Sequence, residues 1–596
     1  VAKLSRARAE RKALGEFYTA EPVAKYLIDW ALRQPTDSIL DPSFGGGVFL
    51  RAAAERLRQL GGSVENVHGV EIAEAAYSRV AADITIGEAR LHCADFLALT
   101  PGQLGQFDSV VGNPPFIRAR RMSAASRSLA LRQAAAQDVR LSKRSSAWAP
   151  FLVHASAFVK PGGRLAMVVP AELGHAIYAR PVIAHLTQSF AQVTLLSPRE
   201  SLFPNLDQDT LLLLAEGRGE EGGRGVVVGQ WVDQALTVAT GEWQVENNQP
   251  VASSKWQVDK NGSFPLATSY EPLATSHGAS HKLRATSSSR LISALLPERV
   301  RALYQELAAH PHVRRLGELA EVGIGYVTGA NRFFHLSPAE VARWELPHQV
   351  LRPAVWRSRA LEGLRLNRQD WQMACASGTA GYLLQINGDP LSEAVSRYLA
   401  YGEASGVAQG YKVRERRCWY QVGNVKVPDL LLAAMGLRLA LVTNEANVTA
   451  PNTLHVVRLY PHTQTTALAL SLGWQSALTH LSLEVEGHAL GGGLLKLEPS
   501  EARRVLVALP DPSEARRRPF GVLREPEQSE GVIFELEPEW SGEALLDQLL
   551  RQRRFDEAME LADRAILQDG LGLTQRECRL LREGYRLLYE RRIKRA

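Results

Sequence analysis

Up to about residue 235, short apolar runs alternate with segments whose apolar residues recur at helical spacing. SILDPS, NVHGVEI, ARLHCADF, FDSVVGN, GRLAMVVP, QVTLLSP and DTLLLLAEG read as strands, because their apolar residues are contiguous and turn residues bound them. VFLRAAAERLRQL and SAWAPFLVHASAFV place apolar residues three and four apart, and the second is expected to run until Pro161-Gly162-Gly163 stops it. Alternation of this kind predicts a doubly wound α/β domain with a mostly parallel sheet.

The pattern dissolves between about Glu242 and Arg290 into Ser, Thr, Asn, His and Gly, with PLATS at 265–269 and again at 272–276. Such composition cannot bury enough apolar surface to order itself, so a connector is expected there. The expected division is a basic arm at 1–14, an α/β domain at 15–240, a linker at 241–290, a mixed α/β region at 291–538 and a helical C-terminal region at 539–596. The fourth carries a cluster of bases and aromatics: Arg352, Trp356, Arg357, Arg359, Lys412, Arg414, Arg416, Arg417, Trp419 and Tyr420. The last reads as ALLDQLLRQRRFDEAMELADRAIL followed by TQRECRLLREGYRLLYERRIKR.

With 596 residues the chain exceeds what one core organises, and 45% apolar with 22% charged residues is ordinary for a globular protein in water. No apolar stretch approaches the roughly 20 residues that span a bilayer, and VAKLSRARAERKAL lacks the apolar centre of a signal peptide, so a cytoplasmic enzyme without a membrane role is expected. Cys93, Cys375, Cys418 and Cys578 lie far apart without CxxC or nearby His ligands, so neither a disulfide framework nor a metal site is expected. Net charge is +6, and its distribution says more than its total. From Ile117 to Ser146 eight bases, Arg118, Arg120, Arg121, Arg127, Arg132, Arg140, Lys143 and Arg144, face one acid, Asp138. A solvated face or a phosphate-binding surface both fit that run.

Chemistry concentrates where the apolar runs end. Ligands of open parallel sheets collect at the carboxyl ends of strands. Those ends read Asp41 with PSFGGG, then Glu71, then Asp95-Phe96, then Asn113-Pro114-Pro115-Phe116. Glycines Gly45, Gly46 and Gly47 allow close backbone approach beside a helix N-terminus. Glu71 can accept from two ribose hydroxyls, and Asp95 from an exocyclic amine with Phe96 against the ring. Asp41, Ser43, Gly45, Glu71, Ile72, Asp95 and Phe96 are the candidate cofactor contacts. The site is acidic and has no Walker lysine, so a nucleoside with a positive charge and no phosphate fits best, and S-adenosylmethionine is that molecule.

Asn113-Pro114-Pro115-Phe116 then has a use. The Asn113 side-chain oxygen and the Pro114 carbonyl can accept from an aromatic –NH2 while Phe116 stacks on its ring. Acceptors held by stiff prolines favour the pyramidal amine whose lone pair points at a methyl donor, so positioning and electrostatics replace a strong base. A base in duplex DNA must first be flipped out to reach them.

These motifs resemble the gamma-class amino-methyltransferases of DNA, the TaqI-like N6-adenine group of restriction–modification systems. GEFYTAEPVAKYLIDWA (15–31), ILDPSFGGGVFL, GVEI, ADF and GNPPF follow in the gamma order, and the similarity is close over roughly residues 15–215. LAEVGIGYVTGANRFFHL, RRCWYQV and GGGLLKLEPSEARRVLVALP resemble stretches of the target-recognition regions of stand-alone members. The resemblance implies a Rossmann-like class I methyltransferase domain with a seven-stranded sheet, plus a target-recognition domain. It implies Thr19 at the methionine end of the cofactor and Phe203 as a second aromatic against the flipped base. Phe116 stands where the family more often has Tyr, and DPSFGGG departs from its commoner glycine turns.

The expected partner is double-stranded DNA, contacted by Arg118, Arg120, Arg121, Lys143, Arg144, Arg416 and Arg417, with a separately encoded restriction endonuclease compatible. The expected activity is site-specific transfer to adenine N6. Cytosine N4 is the nearest alternative, with RNA or protein amines and a non-catalytic DNA-binding subunit behind it. Cytosine C5 is disfavoured, since that chemistry needs a nucleophilic cysteine and no Pro-Cys pair occurs.

Overall fold

The seven apolar runs pair in the order β3-β2-β1-β4-β5-β7-β6, with β1 Ile39–Asp41, β2 Val67–Glu71, β3 Arg90–Cys93, β4 Phe107–Gly112, β5 Val159–Pro170, β6 Phe190–Pro198 and β7 Thr210–Arg218. The computed structural model describes residues 19–174, 177–198, 210–220, 226–232, 235–243, 291–386, 391–509 and 542–594. The expected N-terminal arm, most of the expected linker and Phe203 lie outside them. The chain divides into two units, Val1–Glu298 with the last three residues, and Arg299–Ile593.

In the first unit β3, β2, β1, β4 and β5 are parallel, and β7 runs antiparallel between β5 and β6. Two further strands that the apolar pattern did not announce, β8 Val226–Val232 and β9 Ala235–Trp243, continue the sheet beyond β6. Both sheet faces are covered, which is why the strands read as unbroken apolar runs. Alternate side chains go to opposite layers: Leu40, Val110, Leu165, Met167 and Val169 to one, Ile39, Val111, Ala166 and Val168 to the other. Helices α1 Glu21–Ala31, α2 Val48–Leu60 and α3 Glu74–Ala81 cover the second layer, and α4 Ala124–Ala135, α5 Trp148–Ser156 and α6 Arg180–Ser189 the first. Helix α5 stops at Ser156 rather than at Pro161, because Ala157 and Phe158 N–H tighten onto His154 O and Ala155 O before β5 begins.

The chain places β2 and β3 on one side of β1, then returns to place β4 on the other. Loops leaving β1 and β4 therefore diverge to opposite faces and open a crevice at their carboxyl ends.

The second unit is mixed α/β, as expected. Ala320–Ile324, Leu454–Leu459, Leu430–Ala433 and Leu441–Thr443 form an antiparallel sheet, and two three-stranded sheets accompany it. The terminal helices Gly542–Arg551, Phe555–Ala562 and Gln575–Lys594 belong to this unit. Asp547 accepts from Leu364 N–H at 2.6 Å, Arg551 pairs with Asp370 at 2.8 Å, and Asp563 Oδ1 takes Ala477 N–H at 2.7 Å. Arg592 pairs with Glu484 at 2.6 Å, both side chains nearly inaccessible. Removing one partner of such a buried pair costs about 3–5 kcal/mol, since the other is left charged and dry.

Candidate active site

The turn after β1 is shaped by glycine. Gly45 and Gly47 adopt φ of +48° and +77°, and Gly47 caps α2, where a Cβ would come within 3.0 Å of Val80. Glu71, at the end of β2, holds this turn from the neighbouring strand. Its Oε2 accepts from Gly45 N–H at 2.9 Å and its Oε1 from Ala73 N–H at 2.8 Å. Glu71 is thus a clamp on the glycine turn, a role its spacing in sequence did not reveal. Arg51 donates to Gly46 O at 2.9 Å and pairs with Asp83.

Asp41 is 2% exposed. Its Oδ1 accepts from Ser43 N–H at 3.1 Å, and its Oδ2 finds no hydrogen-bond partner among the described residues. Burial, with the Glu71 charge adding to it, pushes its pKa up to about 8. Gly112 makes this packing feasible, because a Cβ there would stand 3.0 Å from Asp41 Oδ1 and 3.2 Å from the Pro42 ring.

β4 delivers Asn113 beside this turn. Asn113 Nδ2 donates to Thr19 Oγ1 at 3.3 Å, and Ser43 Oγ donates to Asn113 O at 3.2 Å. Thr19, Ser43 and Asn113, 94 and 70 residues apart along the chain, are one hydrogen-bonded group. Pro114 is buried, Pro115 half-buried, and Phe116 packs against both apolar layers at their shared edge.

Two candidates on the neighbouring strands differ. Ile72, after Glu71, is 66% exposed, a large apolar side chain with water on it beside the acid. Phe96 departs from its expected place against a bound ring: it is 3% exposed and packs on Phe151, His154 and Phe158 at 4.8–5.0 Å. Its bulk anchors the turn instead, and Asp95 caps that turn by accepting Leu97 N–H at 3.0 Å. His154, 2% exposed, donates from Nε2 to Phe96 O and Leu99 O at 3.3 and 3.1 Å, and burial lowers its pKa. A histidine on an apolar helix face reads as core from sequence, so nothing announced this role.

Past Phe116 the basic segment 118–146 forms an excursion, closed where Ala147 N–H donates to Ile117 O at 2.8 Å. Arg118, Arg120, Arg121, Lys143 and Arg144 are exposed and form no ion pair with any described residue. In the second unit Arg416 is not a free surface cation. It donates to Val327 O at 2.9 Å, to Thr328 O and to Trp419 O, and lies over Phe334. Two of these bonds hold the loop that precedes Asn331. Arg417 is exposed, while Trp356 and Trp419 pack on the apolar cluster around Phe333 and Tyr398. Among the described residues no group of three or more His, Cys, Asp or Glu is placed to hold a metal ion, and no helix is long and apolar enough to cross a membrane.

Residues 4–175 match the N-6 DNA methylase family, and residues 288–567 match the C-terminal domain of the type II methyltransferase M.Eco57I. The type II methyltransferase M.AccI of Acinetobacter calcoaceticus is 19% identical over 511 residues, 83% of this chain and 86% of that one. M.XamI of Xanthomonas campestris pv. amaranthicola is 23% identical over 510 residues, covering 83% and 85%. Among solved structures, the type IIL restriction–modification enzyme MmeI in complex with DNA aligns over 96% of this chain and 75% of its own, with TM-score 0.51 and 12% identity, a likeness of fold.

Proposed function

We propose that the chain, whose residues 4–175 match the N-6 DNA methylases, is a site-specific adenine-N6 DNA methyltransferase of the type II kind, and that its own residues carry the reaction as follows. The observation that bears most weight is the bonded group Thr19–Asn113–Ser43, which ties the candidate amine-binding turn to the glycine turn.

The crevice suits S-adenosylmethionine. Asp41 offers a buried oxygen with no described partner, and Glu71 and Asp95 are acids at adjacent strand ends. Their cation nearby, Arg51, is already paired, which suits a positively charged nucleoside better than a phosphate. Ile72 gives an apolar surface for a flat ring, Glu71 accepts ribose hydroxyls through its remaining lone pairs, Asp95 accepts an amine, and Thr19 with Asp41 and Ser43 serves the methionine end. Bound there, S-adenosylmethionine supplies an electrophilic methyl group. The Asn113 amide oxygen and the Pro114 carbonyl accept the two hydrogens of adenine N6 and turn its lone pair toward that methyl, and N6 gives up one of those hydrogens as a proton to solvent once it is methylated. With Nδ2 committed to Thr19, the amide is held in one orientation, so little reorganisation accompanies the reaction. Phe116 stacks on the flipped base. Pro115 stiffens the turn between them.

The basic excursion rooted beside Phe116 contacts phosphate, and the second unit with its terminal helices reads the target sequence. A separately encoded restriction endonuclease is a compatible partner, and the cytoplasm the compatible compartment. The test is to incubate the protein with S-adenosylmethionine and mixed-sequence duplex DNA, digest to nucleosides and quantify methylated bases by mass spectrometry. N6-methyladenine is expected from the wild type and none from Asn113→Ala or Phe116→Ala, both of which still bind cofactor. Near-normal turnover by Asn113→Ala would remove that residue from the mechanism.

A further inference from the structure

Residues 411–417 carry four bases, Lys412, Arg414, Arg416 and Arg417, against one acid, Glu415, and the fold treats the four differently. Arg416 turns inward: it donates to Val327 O at 2.9 Å and to Thr328 O, fastening this segment to the loop before Asn331. The two segments meet again at Gly329, whose φ is +74° and where a Cβ would stand 3.0 Å from Lys412 Cβ. The helical turn Tyr411–Arg414 is therefore braced from below, with Val413 fully buried. Its outer side presents Tyr411, 67% exposed, with Lys412 and Arg414.

Tyr411 and Arg414 are three residues apart on one turn and so share a face, and the Arg414 guanidinium lies over the Tyr411 ring at 5.5 Å. Among the described residues no carboxylate pairs with it. A ring holds a guanidinium by its face and leaves the N–H donors at its edge open to another partner. Lys412 and Arg417 are exposed with neither a ring over them nor an ion pair among the described residues. That contrast separates two kinds of contact with a duplex. A phosphate accepts a cation that swings, whereas a base edge is read by a planar fork presented at a set angle. The guanidinium has donors only, and among base edges in the major groove only guanine offers two acceptors side by side.

We propose that Arg414 is a specificity-determining residue that reads the O6–N7 edge of a guanine in the target duplex, backed by Tyr411 and braced through Arg416, while Lys412 and Arg417 beside it take phosphate. The inference rests on the reading of the second unit as the part that recognises the target sequence.

The experiment methylates a random-sequence duplex library with the full chain and S-adenosylmethionine, then sequences the flanks of methylated adenines to give a relative rate for every single-base change. Arg414→Lys keeps the charge and loses the fork. It is expected to lower the preference for one guanine of the wild-type consensus about 30-fold, the worth of one bidentate base contact, with the other positions and the unfolding midpoint unchanged. Tyr411→Leu lowers the preference for that same guanine. Arg417→Gln weakens binding to every sequence alike and makes the slope of log affinity against log salt shallower by about 0.9. An Arg414→Lys consensus identical to that of the wild type overturns the proposal, and so does relaxation confined to A·T positions. If Arg414→Gln only flattens the salt slope, as Arg417→Gln does, Arg414 is a phosphate contact and the assignment is wrong. A wild type that methylates adenine without sequence preference removes the premise about the second unit, and the proposal falls with it.

Discussion

Replacing Asp41 by asparagine removes a carboxyl that is buried, short of one hydrogen-bond partner and close to a like charge. Its pKa, raised to about 8 from 3.8, means that the folded protein without ligand holds a proton there at neutral pH. If Asp41 receives the cationic end of S-adenosylmethionine, binding favours the carboxylate and the proton leaves. At pH 7, one unit below that pKa, ionising Asp41 costs about 1.4 kcal/mol, a factor of about ten in affinity, and the cost doubles at pH 6. Calorimetry in two buffers of different ionisation enthalpy counts the proton. Roughly nine-tenths of a proton is expected to be released at pH 7 by the wild type and none by Asp41→Asn. The window is pH 5.5–7.5, below about 8, where the α-amino group of the cofactor itself begins to titrate.

Stability carries the same sign. An acid with a raised folded pKa holds more protons folded than unfolded, so the free protein loses stability as pH rises from about 4 to about 8, and Asp41→Asn lacks that slope. A wild-type affinity that does not change between pH 6 and 7.5, or an equal proton count in Asp41→Asn, would refute the assignment.

Two further outcomes distinguish scaffold from contact. Phe96→Ala opens a cavity among Phe151, His154 and Phe158 and is expected to cost about 3–5 kcal/mol in denaturant unfolding, where a ring-stacking residue would lower cofactor affinity with little loss of stability. Arg416→Ala is expected to lower the unfolding midpoint without changing the salt dependence of DNA binding, whereas Arg120→Ala with Arg121→Ala leaves the midpoint alone and makes the slope of log affinity against log salt shallower by about 1.8.

What was legible in the sequence follows from how locally each signal is written. Strand runs, the four strand ends and the Asn-Pro-Pro-Phe turn are contiguous in sequence, and contiguous residues share one element whatever surrounds them. β8 and β9 escaped because their pairing to β6 and to each other depends on partners elsewhere in the chain. Phe96 and Arg416 were assigned by residue type, and type alone does not say whether a ring or a guanidinium finds its neighbours inside the fold. His154 gave no sequence signal at all, since it acts on carbonyls many residues away.

The sequence by itself thus determined the class of fold, the set of chemical groups at the strand ends and the amine-directed chemistry, because period, turn residues and strand-end acids are properties of short segments. Only the tertiary structure decided that Glu71 clamps the glycine turn, that Asp41 keeps an oxygen without a described partner, that Thr19 and Ser43 hold Asn113, and that the C-terminal helices complete the second unit. Those facts depend on which distant residues crowd each polar atom, and burial and hydrogen-bond partnership exist only once the chain has closed on itself.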